Sequence, residues 1–276
     1  MNPVIFLLQR SAVFVIALLL SANPSEAQMI TAHRGASYDA PENTLAAFHL
    51  AWQQQADAIE ADFYLSADRQ IVCIHDKDTL RTAGVKLMVE ETGLAALRAL
   101  GAGAWKHPSF AAEKIPTFEE VLATVPKGKR FVIELKSDER IVPVLASELD
   151  RLAPARESLL IISFNEKSIA MCKQRMPDVR AHWLTDVNGG KGNKPPLSAD
   201  AVAKVVRSTG ADGVGMKGDV KVINQDFVDT LRSQGCPEFH VWTIDDVAEA
   251  KYFQRLGAVG ITTNRPALIR ESIGAR

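Results

Sequence analysis

Ala58-Ile-Glu-Ala-Asp-Phe-Tyr-Leu65 and Ile71-Val-Cys-Ile-His75 both read as strands, and only Ser66-Ala-Asp-Arg-Gln70 separates them. A parallel crossover needs about a dozen residues. The two runs therefore predict an antiparallel hairpin, or a run that extends outside the main sheet. Seven further strand-like runs lie at 29–33, 131–135, 159–164, 180–184, 213–216, 239–244 and 259–263. Nine runs are one too many for an eight-stranded barrel, and the hairpin removes the surplus. Helical patterns lie between most of them. Leu45, Phe48 and Trp52 mark one helix face within 44–55. Thr117-Phe-Glu-Glu120 reads as a capping box. Asn165, Ser198, Asn224 and Asp245 read as N-caps of later helices. The alternation predicts an α/β protein, a (β/α)8 TIM barrel. Residues 76–115 break the rhythm with one short helix pattern, 91–100, and predict a small insertion after the His75 strand, near the barrel mouth.

The whole chain has 276 residues, 32 Lys+Arg against 33 Asp+Glu, and 47% hydrophobic residues. These values exclude a disordered chain, a collagen and a multi-span membrane protein. Without a basic excess, nothing suggests sequence-independent nucleic-acid binding. Residues 1–27 read as a cleaved signal peptide: Arg10, an apolar run over 11–20, then small residues at Ser25 and Ala27. Gln9-Arg10 interrupts the run, so no stable membrane anchor is expected. The chain is expected to be exported, periplasmic or secreted, with 28–276 as one domain. Cys73, Cys172 and Cys236 are widely spaced, show no zinc pattern and read as buried apolar residues, although one disulfide remains open. Gly189-Gly-Lys-Gly-Asn-Lys-Pro-Pro196 reads as an exposed loop.

In a barrel, chemistry sits where strands end. Glu60 and Asp62 are two apart, so one face of a strand carries both. Their apolar flanks suggest burial, and two buried carboxylates repel unless a cation lies between them. Glu134 repeats the anomaly inside Phe131-Val-Ile-Glu-Leu-Lys136, with Lys136 on its side of the strand. Three carboxylates from two strands suit one hard divalent cation, Ca²⁺ or Mg²⁺. His33 and His75, each at a strand end, are the best acid–base pair. Arg34 can hold a phosphate, and Lys136 adds a second positive charge. Glu42 precedes a helix N-terminus, where a carboxylate is favoured anyway, so its role is open. Asp76 can fix the loop or orient the imidazole. His182 and His240 lie inside strands and read as packed or hydrogen-bonded, while His49 and His107 are weaker candidates.

In order and spacing, His33-Arg-Gly35, Pro41-Glu-Asn-Thr44, Glu60-Ala-Asp62, His75-Asp76, Glu134-Leu-Lys136, Ser163-Phe164, Trp242-Thr243 and Thr263-Asn-Arg-Pro266 resemble the glycerophosphodiester phosphodiesterase family. The likeness runs over nearly all of residues 29–270. It implies a TIM barrel that hydrolyses glycerophosphodiesters to glycerol 3-phosphate and an alcohol. It further implies metal ligation by Glu60, Asp62 and Glu134, acid–base work by His33 and His75, and Arg34 and Lys136 near the phosphate. Phe164 and Trp242 would line the substrate pocket. Three positions depart from the family pattern: Phe63 for a usual Val, Arg69 for a usual Gly in the hairpin turn, and Asn264 for a common Asp. Phe63 and Asn264 leave the pocket shape open. A phospholipase-type barrel acting on a lysophospholipid or phosphoinositide is the second reading. It would show an apolar lip, which Trp105, Phe110 and Leu87-Met88 could supply, though they read better as the insertion's own core. A non-catalytic binding protein for phosphorylated polyols leaves the His pair unused, and a two-carboxylate sugar hydrolase leaves both His and the Arg unused.

Overall fold

The computed structural model describes residues 28–189 and 195–274. The expected leader, and the middle of the expected loop at 189–196, lie outside the described residues. Among the described residues nine strands form: β1 (Met29–Ala32), β2 (Ala58–Leu65), β3 (Ile71–Cys73), β4 (Arg130–Leu135), β5 (Leu159–Ser163), β6 (Arg180–Thr185), β7 (Gly213–Lys217), β8 (Phe239–Trp242) and β9 (Gly260–Thr263). Eight of them run parallel in the order β1-β9-β8-β7-β6-β5-β4-β2, and pairing of β1 with β2 closes the barrel. β3 is antiparallel to the far end of β2, with Phe63 opposite Cys73 and Leu65 opposite Ile71. Both halves of the hairpin expectation hold: β2 runs past the barrel rim, and β3 pairs with the overhang.

α1 (Leu45–Gln53) fills the first crossover, and α2 (Leu80–Ala83) and α3 (Leu94–Ala99) belong to the insertion. The remaining crossovers and the C-terminus hold α4 (Phe118–Ala123), α5 (Ile141–Leu152), α6 (Glu166–Arg175), α7 (Ala199–Thr209), α8 (Gln225–Ser233), α9 (Val247–Arg255) and α10 (Pro266–Ile273). The capping box at Thr117 and Glu120 forms, and Asn165, Ser198 and Asn224 cap α6, α7 and α8. Asp245 does not cap α9: Asp246 does, accepting from the amides of Ala248 and Glu249. β8 ends at Trp242, two residues short of the expected run, and this frees Asp245 to bond Thr263 and Asn264 instead.

Side-chain alternation divides the interior in two. Ile59, Ala61, Phe63, Phe131, Ile133 and Leu135 face the helices and join the main core. Ala58, Val132, Ile162 and Leu184 face the barrel axis. Phe63 packs edge-on against Phe118 and Phe131, with centroids 5.3 and 6.0 Å apart. It therefore points away from the barrel interior and does not shape the pocket. All three cysteines are buried and free.

The insertion packs Val89, Leu97, Ala102 and Ile115 into a small core against Val72 of β3 and Ile74 just after it. This corrects the expectation that Trp105, Phe110, Leu87 and Met88 form it. Lys106 reaches the carbonyls of Ser37 and Tyr38 at 2.9 and 2.8 Å, which holds this stretch against the β1–α1 loop. Trp105, beside it, stays 41% exposed.

Candidate active site

β1 ends one residue before His33 and β3 two residues before His75, so both imidazoles stand on loops at the mouth. They line one cavity of about 160 Å³ together with Arg34, Glu60, Glu134, Lys136, Phe164 and Trp242. Its floor is Ile162, Leu184, His240 and Thr262.

The carboxylates come from the axis-facing positions of neighbouring strands, β2 and β4, where Asp62 lies beside Glu134 in register. Glu60, Asp62 and Glu134 are 2%, 1% and 9% exposed, so none faces solvent, while Asp62 and Glu134 do pair with basic side chains, the alternative to a cation that the sequence also allows. Each offers an oxygen within 4.8 Å of the others. Arg34 stands over them. Its backbone amide donates to Glu60 Oε2 at 2.9 Å, and its guanidinium Nε lies 3.2 Å from Asp62 Oδ2. Arg34 holds this pose in the left-handed region, φ 54°, followed by Gly35 at φ 80°. A Cβ on Gly35 would sit 2.6 Å from the backbone of Ala47, so the turn requires glycine. Lys136 Nζ lies 2.8 Å from Glu134 Oε1 and 3.5 Å from Asp62 Oδ1.

These charges do not balance evenly. Burial pushes Glu60 well above the ordinary carboxylate range, and Asp62 and Glu134 add to it. Burial, then Asp62, pushes Glu134 up to about 7. Burial opposes ionisation of Asp62 too, but Arg34 and Lys136 outweigh it and hold Asp62 low. Glu60 Oε1 and Asp62 Oδ1 are buried and accept no hydrogen bond among the described residues. A clustered, all-oxygen donor set with two oxygens left without a hydrogen bond fits a hard divalent cation.

Each imidazole has one nitrogen already engaged. His33 Nδ1 lies 2.7 Å from Asn264 Oδ1. The Asn264 amide is oriented by its Nδ2, which donates to Asp245 Oδ2 at 2.6 Å. Oδ1 can only accept, so His33 carries its proton on Nδ1 and keeps Nε2 as a lone pair. Burial first, then Arg34, brings His33 down to about 4, so it is neutral at pH 7. His75 Nδ1 lies 2.7 Å from Asp76 Oδ1. Burial lowers His75 as well, while Asp62 and Asp76 pull the other way. Phe164 meets Trp242 edge-on at 5.5 Å and is 49% exposed at the rim.

A family model, the glycerophosphoryl diester phosphodiesterase family, matches residues 33–268. The chain belongs to the glycerophosphoryl diester phosphodiesterase family. It is an enzyme of the phosphodiester hydrolase class. YhdW of Bacillus subtilis, which carries a glycerophosphodiester phosphodiesterase name, is 34% identical over 87% of this chain and 96% of its own. A second Bacillus subtilis protein named glycerophosphodiester phosphodiesterase is 27% identical over 88% of this chain and 85% of its own. Among solved structures, an Oleispira antarctica phosphodiesterase in complex with the product sn-glycerol-3-phosphate superposes with a TM-score of 0.80 at 26% identity, over 90% of this chain and 97% of that one.

Within this glycerophosphoryl diester phosphodiesterase, every site residue expected from sequence except Glu42 either lines the cavity or, for Asp62, sits directly behind it. Glu42 stands two residues before Thr44, the N-cap of α1. It binds Arg34 at 2.9 Å and takes a two-pronged contact from Arg81 of the insertion, at 2.8 Å on each oxygen. Arg81 also bonds Asp76 at 2.6 Å and so ties the insertion to both imidazole-bearing loops. Sequence reasoning missed Arg81, Asn43 and the orienting role of Asn264. Asn43 brackets Asp62, donating to Oδ2 at 2.8 Å and accepting from its amide at 3.2 Å. Its signal lies in Pro41-Glu-Asn-Thr44, where it follows Glu42.

Proposed function

We propose that this enzyme hydrolyses a glycerophosphodiester to glycerol 3-phosphate and a free alcohol. In this reading Glu60, Asp62 and Glu134 hold one divalent cation, Ca²⁺ or Mg²⁺, and His33 and His75 are the acid–base pair. The observation that carries it is the pair of imidazoles, each pinned at Nδ1 by a fixed acceptor, at one cavity walled by buried carboxylates. The bound cation supplies positive charge against the phosphoryl oxygens. Arg34, held by Glu42 and Asp62, and Lys136, held by Glu134, add charge that opposes the negative charge growing in the transition state.

His33 is the base, because burial and Arg34 keep its Nε2 unprotonated. It takes the proton of the nucleophile, either water or the substrate's own glycerol 2-hydroxyl. His75 takes the acid role: Asp76 at its Nδ1 holds the ring with Nε2 free for the leaving alkoxide, and a proton affinity lowered by burial makes its imidazolium a ready donor. Phe164 and Trp242 contact the organic part of the substrate at the rim. Release of glycerol 3-phosphate from glycerophosphocholine and glycerophosphoethanolamine, with and without chelator, tests the reading.

A second reading takes a lysophospholipid at a lipid surface. Exposed apolar side chains of the β1–α1 and β5–α6 loops and of the insertion favour it: Tyr38, Phe164, Leu80 and Val85. Faster turnover of lysophosphatidylcholine than of glycerophosphocholine would select it. Export to the periplasm or medium is the location proposed for either activity, and N-terminal sequencing of the protein from culture fractions tests it.

A further inference from the structure

Two imidazoles unused by this chemistry lie on the barrel axis. His182 on β6 and His240 on β8 are buried. Glycines make room for them. A Cβ on Gly215 would meet the His240 ring at 2.4 Å, and one on Gly213 would meet His182 Nε2 at 2.8 Å. The rings stack with centroids 5.2 Å apart, and their Nδ1 atoms are 3.1 Å from each other. Burial holds His240 down to about 4 and His182 well below its ordinary value, so both are neutral at pH 7. Between two neutral rings one Nδ1 must donate and the other accept.

Glu238 breaks the tie. It is paired with Arg180 at the opposite end of the barrel, and its Oε2 lies 3.6 Å from His182 Nε2. A carboxylate facing a bare ring nitrogen is repelled, whereas one facing N–H is attracted. The contact is too long for a hydrogen bond, but its electrostatics favour the His182 tautomer with the proton on Nε2, whose Nδ1 then accepts from His240 Nδ1. The polar atom left to His240 is an Nε2 lone pair, which no hydrogen bond among the described residues reaches. His240 belongs to the floor of the catalytic cavity, where Ile162 and Leu184 beside it are aliphatic.

We propose that His240 is a specificity-determining residue whose Nε2 accepts a hydrogen bond from a hydroxyl of the substrate's glycerol half, with Glu238 fixing the tautomer through His182. The inference rests on the glycerophosphodiester reading above. A neutral acceptor suits this place: it reads a hydroxyl without adding negative charge beneath a phosphodiester. Discrimination follows because a substrate lacking the hydroxyl gains nothing there, and an enzyme lacking the acceptor strands the hydroxyl.

The test compares wild type, His240→Leu and His240→Gln on glycerophosphoethanolamine and on bis(4-nitrophenyl) phosphate, which has no hydroxyl. His240→Leu should raise KM for the glycerol diester about 10-fold or more. The aryl diester should change by less than about 2-fold, and His240→Gln, which keeps an acceptor, should recover most of the loss. Equal losses on both substrates overturn the assignment. Failure of wild type to release glycerol 3-phosphate at all overturns the parent reading, a distinct result. Nitrogen-15 NMR of the histidine-labelled chain needs no mutant of His240 and supplies a second readout. A protonated Nδ1 and bare Nε2 on His240, lost in Glu238→Gln, support the inference, and the opposite tautomer in wild type overturns it.

Discussion

His33 and Asn264, 231 residues apart, meet through a 2.7 Å contact from ring Nδ1 to amide Oδ1. The contact sets which ring nitrogen is free for chemistry. It also explains the departure at 264: an amide orients the ring without the charge that would favour its protonation. Asn264→Asp should raise the His33 pKa. Its protonated, inactive form then persists to higher pH, so the acid limb of the kcat/KM profile moves up by about one unit. A profile that superposes on wild type would remove Asn264 from this role.

The buried carboxylates predict a single cation site. Calorimetric titration of the metal-free protein with Ca²⁺ and Mg²⁺ should give one site, weakened about 10-fold or more in Asp62→Asn. A cation at 100 times its Kd should also stabilise the fold by about 2.7 kcal/mol, seen as a rise in Tm that Asp62→Asn lacks. Equal titrations for both proteins would show that the acids do not form the site.

The hairpin turn is strained at a known place. Arg69 sits at φ 60°, the left-handed region. The turn still closes, with the Ser66 amide donating to the Gln70 carbonyl at 2.9 Å. Arg69→Gly removes strain of about 1 kcal/mol, partly offset by the freer unfolded chain. The urea midpoint should rise slightly with kcat unchanged, and a lower midpoint would contradict this.

The axial imidazoles predict an acid-sensitive fold. In the unfolded chain each takes a proton near pH 6.5, while His240 in the fold resists until about 4. Between these values the unfolded state binds more protons. Stability is therefore fully present above pH 6.5 and falls as pH drops toward 4. The double variant His182→Gln/His240→Gln should show a flatter urea-midpoint curve across that window, and an unchanged slope would assign the acid sensitivity elsewhere.

Much of this was legible in the chain. The five residues 66–70 are too few for a crossover, and that alone made β3 a hairpin strand. Period-2 spacing placed Glu60 and Asp62 on one face, and their apolar neighbours told that the face was inside. Strand ends named His33 and His75. What stayed hidden depends on residues distant in sequence. Nothing near Asn264 marks it as the partner of His33, and nothing in Leu80-Arg-Thr-Ala83 marks Arg81 as the clasp on Glu42. Trp105 misled because a large aromatic residue reads as core, while small Ala102 does the packing.

The most direct test is glycerol 3-phosphate release from glycerophosphoethanolamine by wild type, His33→Ala and His75→Ala, each with Mg²⁺ or Ca²⁺ and with excess chelator. The account predicts cation-dependent release by wild type and a loss of about 10²-fold or more in each variant, with circular dichroism unchanged. Release that persists in chelator, or near-normal turnover in both histidine variants, would contradict it.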